Sequence, residues 1–194
     1  MDLGRFLEKV GLRLRGYQLD FLRDESRLIL VRSARQMGKS LCLVLKCLFN
    51  GVNNPGSLSL IFTPTVRMKM LLEEEVEYFE EKIGADIRCK VYAAKWESIL
   101  PSSPRFVYID EAGLLRDEDI LNMMLFTLSA RQVVVTFTPL EKMPGKLLEM
   151  CRSEKFSHHY WPYYLNPESK EHVEKLREMI GEKRFRYECL AELP

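Results

Sequence analysis

Short apolar runs of strand length alternate along this chain with longer stretches in which apolar residues recur every three or four positions. Arg27 to Arg32 (RLILVR), Leu58 to Phe62 (LSLIF), Phe106 to Ile109 (FVYI) and Gln132 to Thr136 (QVVVT) read as strands. Their apolar character is continuous rather than alternating, which predicts burial on both faces. Between them, Lys39 to Phe49 and Val66 to Ile83 carry the helical interval, and Asp117 to Thr127 does so behind an acidic start that suits a helix amino terminus. This alternation predicts an α/β fold, in which crossover units build a mainly parallel sheet flanked by helices. Asn53-Asn54-Pro55-Gly56 reads as a turn and Pro101-Ser102-Ser103-Pro104 as a loop. After Pro139 the pattern loosens into a helix near Lys146 to Cys151, an aromatic stretch from His158 to Tyr164, and a charged helical segment from Pro167 onward. Residues 1–140 are therefore read as the core and 141–194 as a small carboxyl-terminal lid lobe of the same domain.

Composition narrows the picture. With 194 residues, 46% of them apolar, the chain has material for one substantial core. Its 29 Lys and Arg nearly cancel its 28 Asp and Glu, so no global basic field advertises a nucleic-acid partner, and any such partner must meet a local patch. The cysteines, Cys42, Cys47, Cys89, Cys151 and Cys189, are odd in number and show no zinc spacing. They read as small core residues of a protein in a reducing compartment. No stretch is long and apolar enough to cross a bilayer as a helix, and no membrane partner is expected.

Chemistry concentrates at two places. Ser33-Ala34-Arg35-Gln36-Met37-Gly38-Lys39-Ser40 fits GxxxxGK[ST] with Ser in place of the first Gly, and it lies between a predicted strand and a predicted helix. In that setting backbone N–H groups converge on phosphate oxygens, Lys39 contacts the terminal phosphates and the Ser40 hydroxyl ligates Mg²⁺. Downstream, Phe106-Val107-Tyr108-Ile109-Asp110-Glu111 is an apolar strand that ends in two acids. Parallel strands deliver their carboxyl ends to one edge of the sheet, so Asp110 is expected near the metal, through water, and Glu111 near the attacking water as general base. These expectations describe a RecA-like (ASCE) P-loop NTPase that uses ATP and Mg²⁺.

The same residues resemble the ATPase domain of the large terminase subunit, the motor that packages DNA into tailed-virus heads. The phosphate loop with Arg-Gln ahead of GKS is similar to terminase loops, and the resemblance implies that Arg35 stabilises charge on the terminal phosphate. Tyr17-Gln18 looks like the aromatic-Gln element that holds adenine. Phe62-Thr63-Pro64-Thr65 is similar to a motif that terminases share with helicases, and Thr136-Phe137-Thr138-Pro139 looks like the motif coupling hydrolysis to movement, through Thr136 and Thr138. The tail, with Leu165-Asn166-Pro167 and then Phe185 to Leu193, is similar to the segment closing the terminase lid. The resemblance implies double-stranded DNA as partner, a homo-oligomeric ring on a portal or similar assembly, and a virus- or provirus-encoded protein in the cytoplasm of its host. It departs from the family in two ways. No nuclease, and so no DNA cutting, is expected of these residues. The Arg-Gly usual between the third strand and the acidic pair is missing, the stretch reading Ala93-Ala94-Lys95-Trp96-Glu97-Ser98.

Other readings stand beside this one: another P-loop enzyme, such as a helicase-like fragment or a phosphotransferase, or a nucleotide-binding scaffold without turnover. His158 and His159 are adjacent and would face opposite sides of a strand, so packing in the lid lobe is preferred for them over a metal site. Glu73-Glu74-Glu75-Val76-Glu77 reads as the solvated side of a helix. Arg13, Arg15, Arg67, Lys69 and Arg131 are assigned no role.

Overall fold

The computed structural model describes residues 1–93, 103–167 and 170–194. Two short helices, α1 (Leu3–Val10) and α2 (Gly16–Arg23), precede the alternating part of the chain. There β1 (Leu28–Ser33) leads to α3 (Lys39–Asn53), β2 (Ser59–Thr63) to α4 (Val66–Ile83), and β3 (Cys89–Ala93) to β4 (Phe106–Ile109). Then come α5 (Asp117–Leu125), β5 (Gln132–Phe137), α6 (Gly145–Arg152), β6 (Ser157–Trp161), α7 (Lys170–Ile180) and α8 (Glu182–Glu188). The strands form one six-stranded sheet in the order β3-β2-β4-β5-β1-β6. Every pairing is parallel.

The continuous apolar runs divide by parity between two cores. Ile29, Val31, Ile61, Tyr108 and Val134 pack with α1 to α4 on one face. Their neighbours Leu30, Leu60, Phe62, Val107, Ile109, Val133 and Val135 pack with α5 and α6 on the other. This is the period-two alternation of a strand covered on both sides. Helix α3 is wedged between the sheet, α2 and α4, and its Cys42, Leu43, Val44, Leu45, Cys47 and Leu48 are all fully buried. The cysteines among the described residues are free and buried or half-buried, as small core residues should be.

Four strands match the sequence expectation to within a residue at each end. Two were not anticipated. β3 and β6 are the edges of the sheet, and their mixed burial gives no unbroken apolar run. β6 corrects the reading of His158 and His159, which sit in the central sheet rather than in a lobe: His159 pairs register with Val31. They do face opposite ways, His158 Nε2 meeting the Ser153 carbonyl and His159 Nε2 lying 2.8 Å from Asp24 Oδ2. The charged tail is two helices rather than one, divided at Gly181. The loop expected at Pro101 to Pro104 lies partly outside the described residues, and the stretch 94–98 lies wholly outside them. Among the described residues no helix is long and apolar enough to cross a membrane.

Candidate nucleotide site

The phosphate loop joins β1 to α3 through a backbone that L-residues adopt reluctantly. Gln36 and Gly38 both have positive φ, 59° and 79°. Glycine suits position 38 because of its positive φ, and a Cβ there would stand 2.8 Å from Gln18 Nε2 and displace that amide. Met37, almost fully buried, anchors the loop in the core. Ser33 is buried with its hydroxyl donating to the Ala34 carbonyl at 2.9 Å, and the Ala34 N–H donates to the Trp161 carbonyl of β6.

Lys39 opens α3 and is 6% exposed. Its ammonium lies 2.8 Å from Glu111 Oε1 and donates to Thr138 Oγ1 at 3.0 Å. One residue on, Ser40 Oγ donates to Asp110 Oδ2 at 2.7 Å, while Thr136 Oγ1 donates to Asp110 Oδ1 at 2.6 Å. Strand order explains the second bond: β5 lies between β1 and β4, so Thr136 stands between loop and acid. Burial, then the neighbouring Glu111 charge, pushes the Asp110 carboxyl above its usual range, against the pull of Thr136, Lys39 and Ser40. Glu111 sits in the left-handed region, φ 48° and ψ 46°, a strained place for a glutamate that turns its carboxylate back over the sheet edge. There its second oxygen accepts from the Thr138 N–H at 3.3 Å. The turn following Glu111 comes so close to this strand end that a Cβ on Gly113 would stand 2.9 Å from the Thr138 carbonyl.

Lys39, Ser40, Asp110, Glu111, Thr136 and Thr138 thus come together at the carboxyl edge of the sheet from separations of up to 99 residues. Arg35 is placed differently. Its N–H donates to the Glu188 carbonyl at 2.9 Å and its guanidinium pairs with Glu188 Oε2 at 3.0 Å, so α8 closes on the loop. Tyr17 and Gln18 are likewise engaged with the loop: both donate to the Met37 carbonyl, at 3.3 and 3.2 Å, and Gln18 Oε1 accepts from the Arg15 N–H at 2.9 Å. The Tyr17 ring lies against Trp161, centroids 5.0 Å apart. Of the Thr-Pro element after β2, Thr65 caps α4 by accepting from the Met68 N–H, and Thr63 Oγ is buried with no hydrogen-bond partner.

Three residues at this edge escaped sequence reasoning. Glu188 is known only from where α8 docks. Glu75 corrects the solvated reading of its acidic run: it is half-buried, and burial followed by the Asp110 charge raises its carboxyl. Trp161 is fully buried behind Tyr17 and closes the site's floor.

The donors present suit a small divalent cation. A hydroxyl and a carboxylate, Ser40 and Asp110, meet within hydrogen-bond distance, and both are hard oxygen ligands. A magnesium ion at a phosphate site takes only one or two protein ligands, so the lack of any cluster of three His, Cys, Asp or Glu among the described residues is compatible with it.

No family model matches this chain, and no curated protein matches it by sequence. Solved structures do. The large terminase ATPase domain of Thermus phage P74-26 superposes with a TM-score of 0.82 at 18% identity, covering 98% of each chain. The fold is that of a terminase ATPase domain. The large terminase of bacteriophage HK97 matches with a TM-score of 0.72 at 12% identity, over 94% of this chain and 51% of the other, so the present chain spans about half of that protein. The UvsW helicase of bacteriophage T4 matches at 0.61 and 14% identity, over 84% of this chain and 68% of that one. A RecA-like sheet of the kind shared by terminase and helicase ATPase domains, as the sequence suggested, is therefore the architecture here.

Proposed function

We propose that this chain hydrolyses ATP with Mg²⁺ and that the hydrolysis drives double-stranded DNA in viral packaging. The observation that carries the first part is the convergence of Lys39, Ser40, Asp110 and Glu111, with Thr136 and Thr138, into one hydrogen-bonded group at the carboxyl edge of a parallel sheet. The packaging part is supported by end-to-end likeness to a terminase ATPase domain, against partial coverage of a helicase.

In this reading the site waits with its own anions in the phosphate positions. Lys39 exchanges Glu111 for the terminal phosphates, and Arg35 exchanges Glu188 for the charge that develops on the transferred group. Released from Lys39, Glu111 turns to the attacking water and accepts its proton. Ser40 and Asp110 would hold Mg²⁺, Asp110 through water, and the ion supplies charge neutralisation on the phosphates. Thr136 keeps Asp110 aimed. Thr138 meets both Lys39 and Glu111, so it is placed to register the exchange and pass it to the segment beyond Pro139. Tyr17 and Gln18 would hold adenine beside the loop to which they are tied. Of residues 141–194, the part beyond β6 would act as the lid, α8 closing over Arg35. Assembly as a ring on a portal belongs to the same reading, as does action in the host cytoplasm.

The test is steady-state ATP hydrolysis by the purified chain, with Glu111→Gln beside it. The variant is expected to bind ATP at least as tightly, because Lys39 is freed from a carboxylate, and to turn over roughly a hundredfold more slowly or worse. Full turnover in Glu111→Gln removes this residue from the mechanism. A wild type that binds ATP and never hydrolyses it favours a scaffold instead.

A further inference from the structure

The edge of the sheet opposite the nucleotide site carries a pattern that only the strand order makes visible. An arginine immediately precedes four of the six strands: Arg27 before β1, Arg88 before β3, Arg105 before β4 and Arg131 before β5. Backbone bonds string them together across the edge. The Ser59 N–H donates to the Arg88 carbonyl, Arg105 N–H to Leu58, Arg131 N–H to Arg105, and Val133 N–H to Arg27. Arg105, Arg131 and Arg27 stand on three successive strands, and Arg88 two strands further along. At about 4.8 Å per strand the row is roughly 19 Å long.

All four side chains are exposed. None pairs with a carboxylate among the described residues. The basic residues around α8 behave otherwise: Arg184 and Arg35 share Glu188, and Lys183 pairs with Glu141. Two rim guanidiniums spend one N–H each on the backbone, Arg27 on the Thr127 carbonyl and Arg88 on that of Gly56. That orients the fork and leaves most of its five donors for a ligand. Between Arg88 and Arg105 lies a cavity of about 640 Å³ walled by Asn54, Gly56 and Ser57, and the Ser57 hydroxyl is buried without a partner. A second cavity of about 470 Å³ shares Asn54 and continues past Arg131 to Arg23, with Glu25 the one acid among the described residues on its wall.

We propose that this rim binds the phosphodiester backbone of duplex DNA. A row of guanidiniums without carboxylate partners, beside a polar cavity, suits a repetitive anion, and contacts of this kind position a duplex without reading its sequence. The globally balanced charge of the chain makes the local surplus meaningful. The surface extends the packaging reading, which named DNA but no site for it.

The experiment compares duplex binding by fluorescence anisotropy between 50 and 200 mM salt for the wild type, Arg88→Gln with Arg105→Gln, and Arg67→Gln with Lys69→Gln. The last pair removes the same charge near the start of α4, at the nucleotide edge. The rim pair is expected to lower affinity about tenfold at 50 mM salt and to flatten the log–log salt slope by about 2, with basal ATP turnover unchanged. The α4 pair is expected to bind as the wild type does. Unaltered affinity and slope in the rim pair overturn the proposal, as does a wild type that is held by polyglutamate and not by DNA. If the wild type binds DNA through the rim yet hydrolyses no ATP, the rim stands and the motor reading falls.

Discussion

At the carboxyl edge of the sheet the charged groups of the nucleotide site are already matched: Lys39 by Glu111, Arg35 by Glu188, Asp110 by two hydroxyls. At the amino edge Arg27, Arg88, Arg105 and Arg131 are exposed and have no acid within pairing distance among the described residues, their hydrogen bonds going to the Thr127 and Gly56 carbonyls and the Asn54 amide oxygen. Burial explains the difference for Lys39 and Asp110, though not for Arg35, whose side chain is 57% exposed. Lys39 and Asp110 are 6% and 2% exposed, and a charge so far from water must be paired or hydrogen-bonded, whereas an exposed guanidinium need not be. Ligand capture therefore differs in kind. Phosphate entering the first edge replaces carboxylates one for one, while a polyanion on the second displaces only counterions.

Substitutions can break that comparison at several strengths. The largest effect is expected of Lys39→Ala, which removes the exchangeable cation and leaves Glu111 facing no ammonium; kcat/KM for ATP should fall roughly a thousandfold. An unchanged value in a steady-state assay would mean that the pair has no part in phosphate capture.

Next is the buried cation at the middle of α3. Lys46 is 2% exposed and donates to the Phe21 and Leu22 carbonyls at the end of α2. Burial, opposed by the Asp24 and Glu25 charges, lowers it from 10.5 to about 8. The fold therefore disfavours the protonated form. Between pH 8 and 10.5 the unfolded chain holds more protons, so this cost is fully present below pH 8 and fades as the pH rises. Relative to Lys46→Met, the wild type should gain about 2 to 3 kcal/mol across that window in denaturant titrations. A gap that stays level with pH would show the ammonium to be as well solvated folded as unfolded.

The smallest effect concerns Thr136. Thr136→Val deletes one of the hydroxyls that restrain the Asp110 carboxyl, so its acidity should weaken further. We expect about a tenfold loss of kcat/KM and an acid limb displaced to higher pH, with Thr136→Ser restoring both. A pH–rate profile identical to that of the wild type would leave Thr136 a strand residue only.

What could be foreseen from the chain alone follows the same physics. The central strands announce themselves because both faces are dry, as Ile29 to Val31 and Val133 to Val135 show. Cys89–Ala93 and Ser157–Trp161 stay hidden because each is bordered on one side by solvent, and His-His-Tyr carries no strand signature of its own. Lys39, Ser40 and Asp110 were legible because their spacing to a strand end is a local matter. Glu188 was not, since its meeting with Arg35 depends on how α8 returns, and Glu75 was masked by a run of like residues. The rim was least visible of all: Arg27, Arg88, Arg105 and Arg131 are isolated letters until strand order sets them side by side.

Helix α3 touches both edges. Its first turn carries Lys39 and Ser40, and its last residues border the cavity that Arg131 lines. Fifteen residues make a rod about 22 Å long, clamped along its whole length by close-packed side chains. A rod so gripped cannot compress. The same stiff element thus joins the lysine at one edge to Asn53 at the other, on the wall of the cavity that Arg131 and Arg23 line.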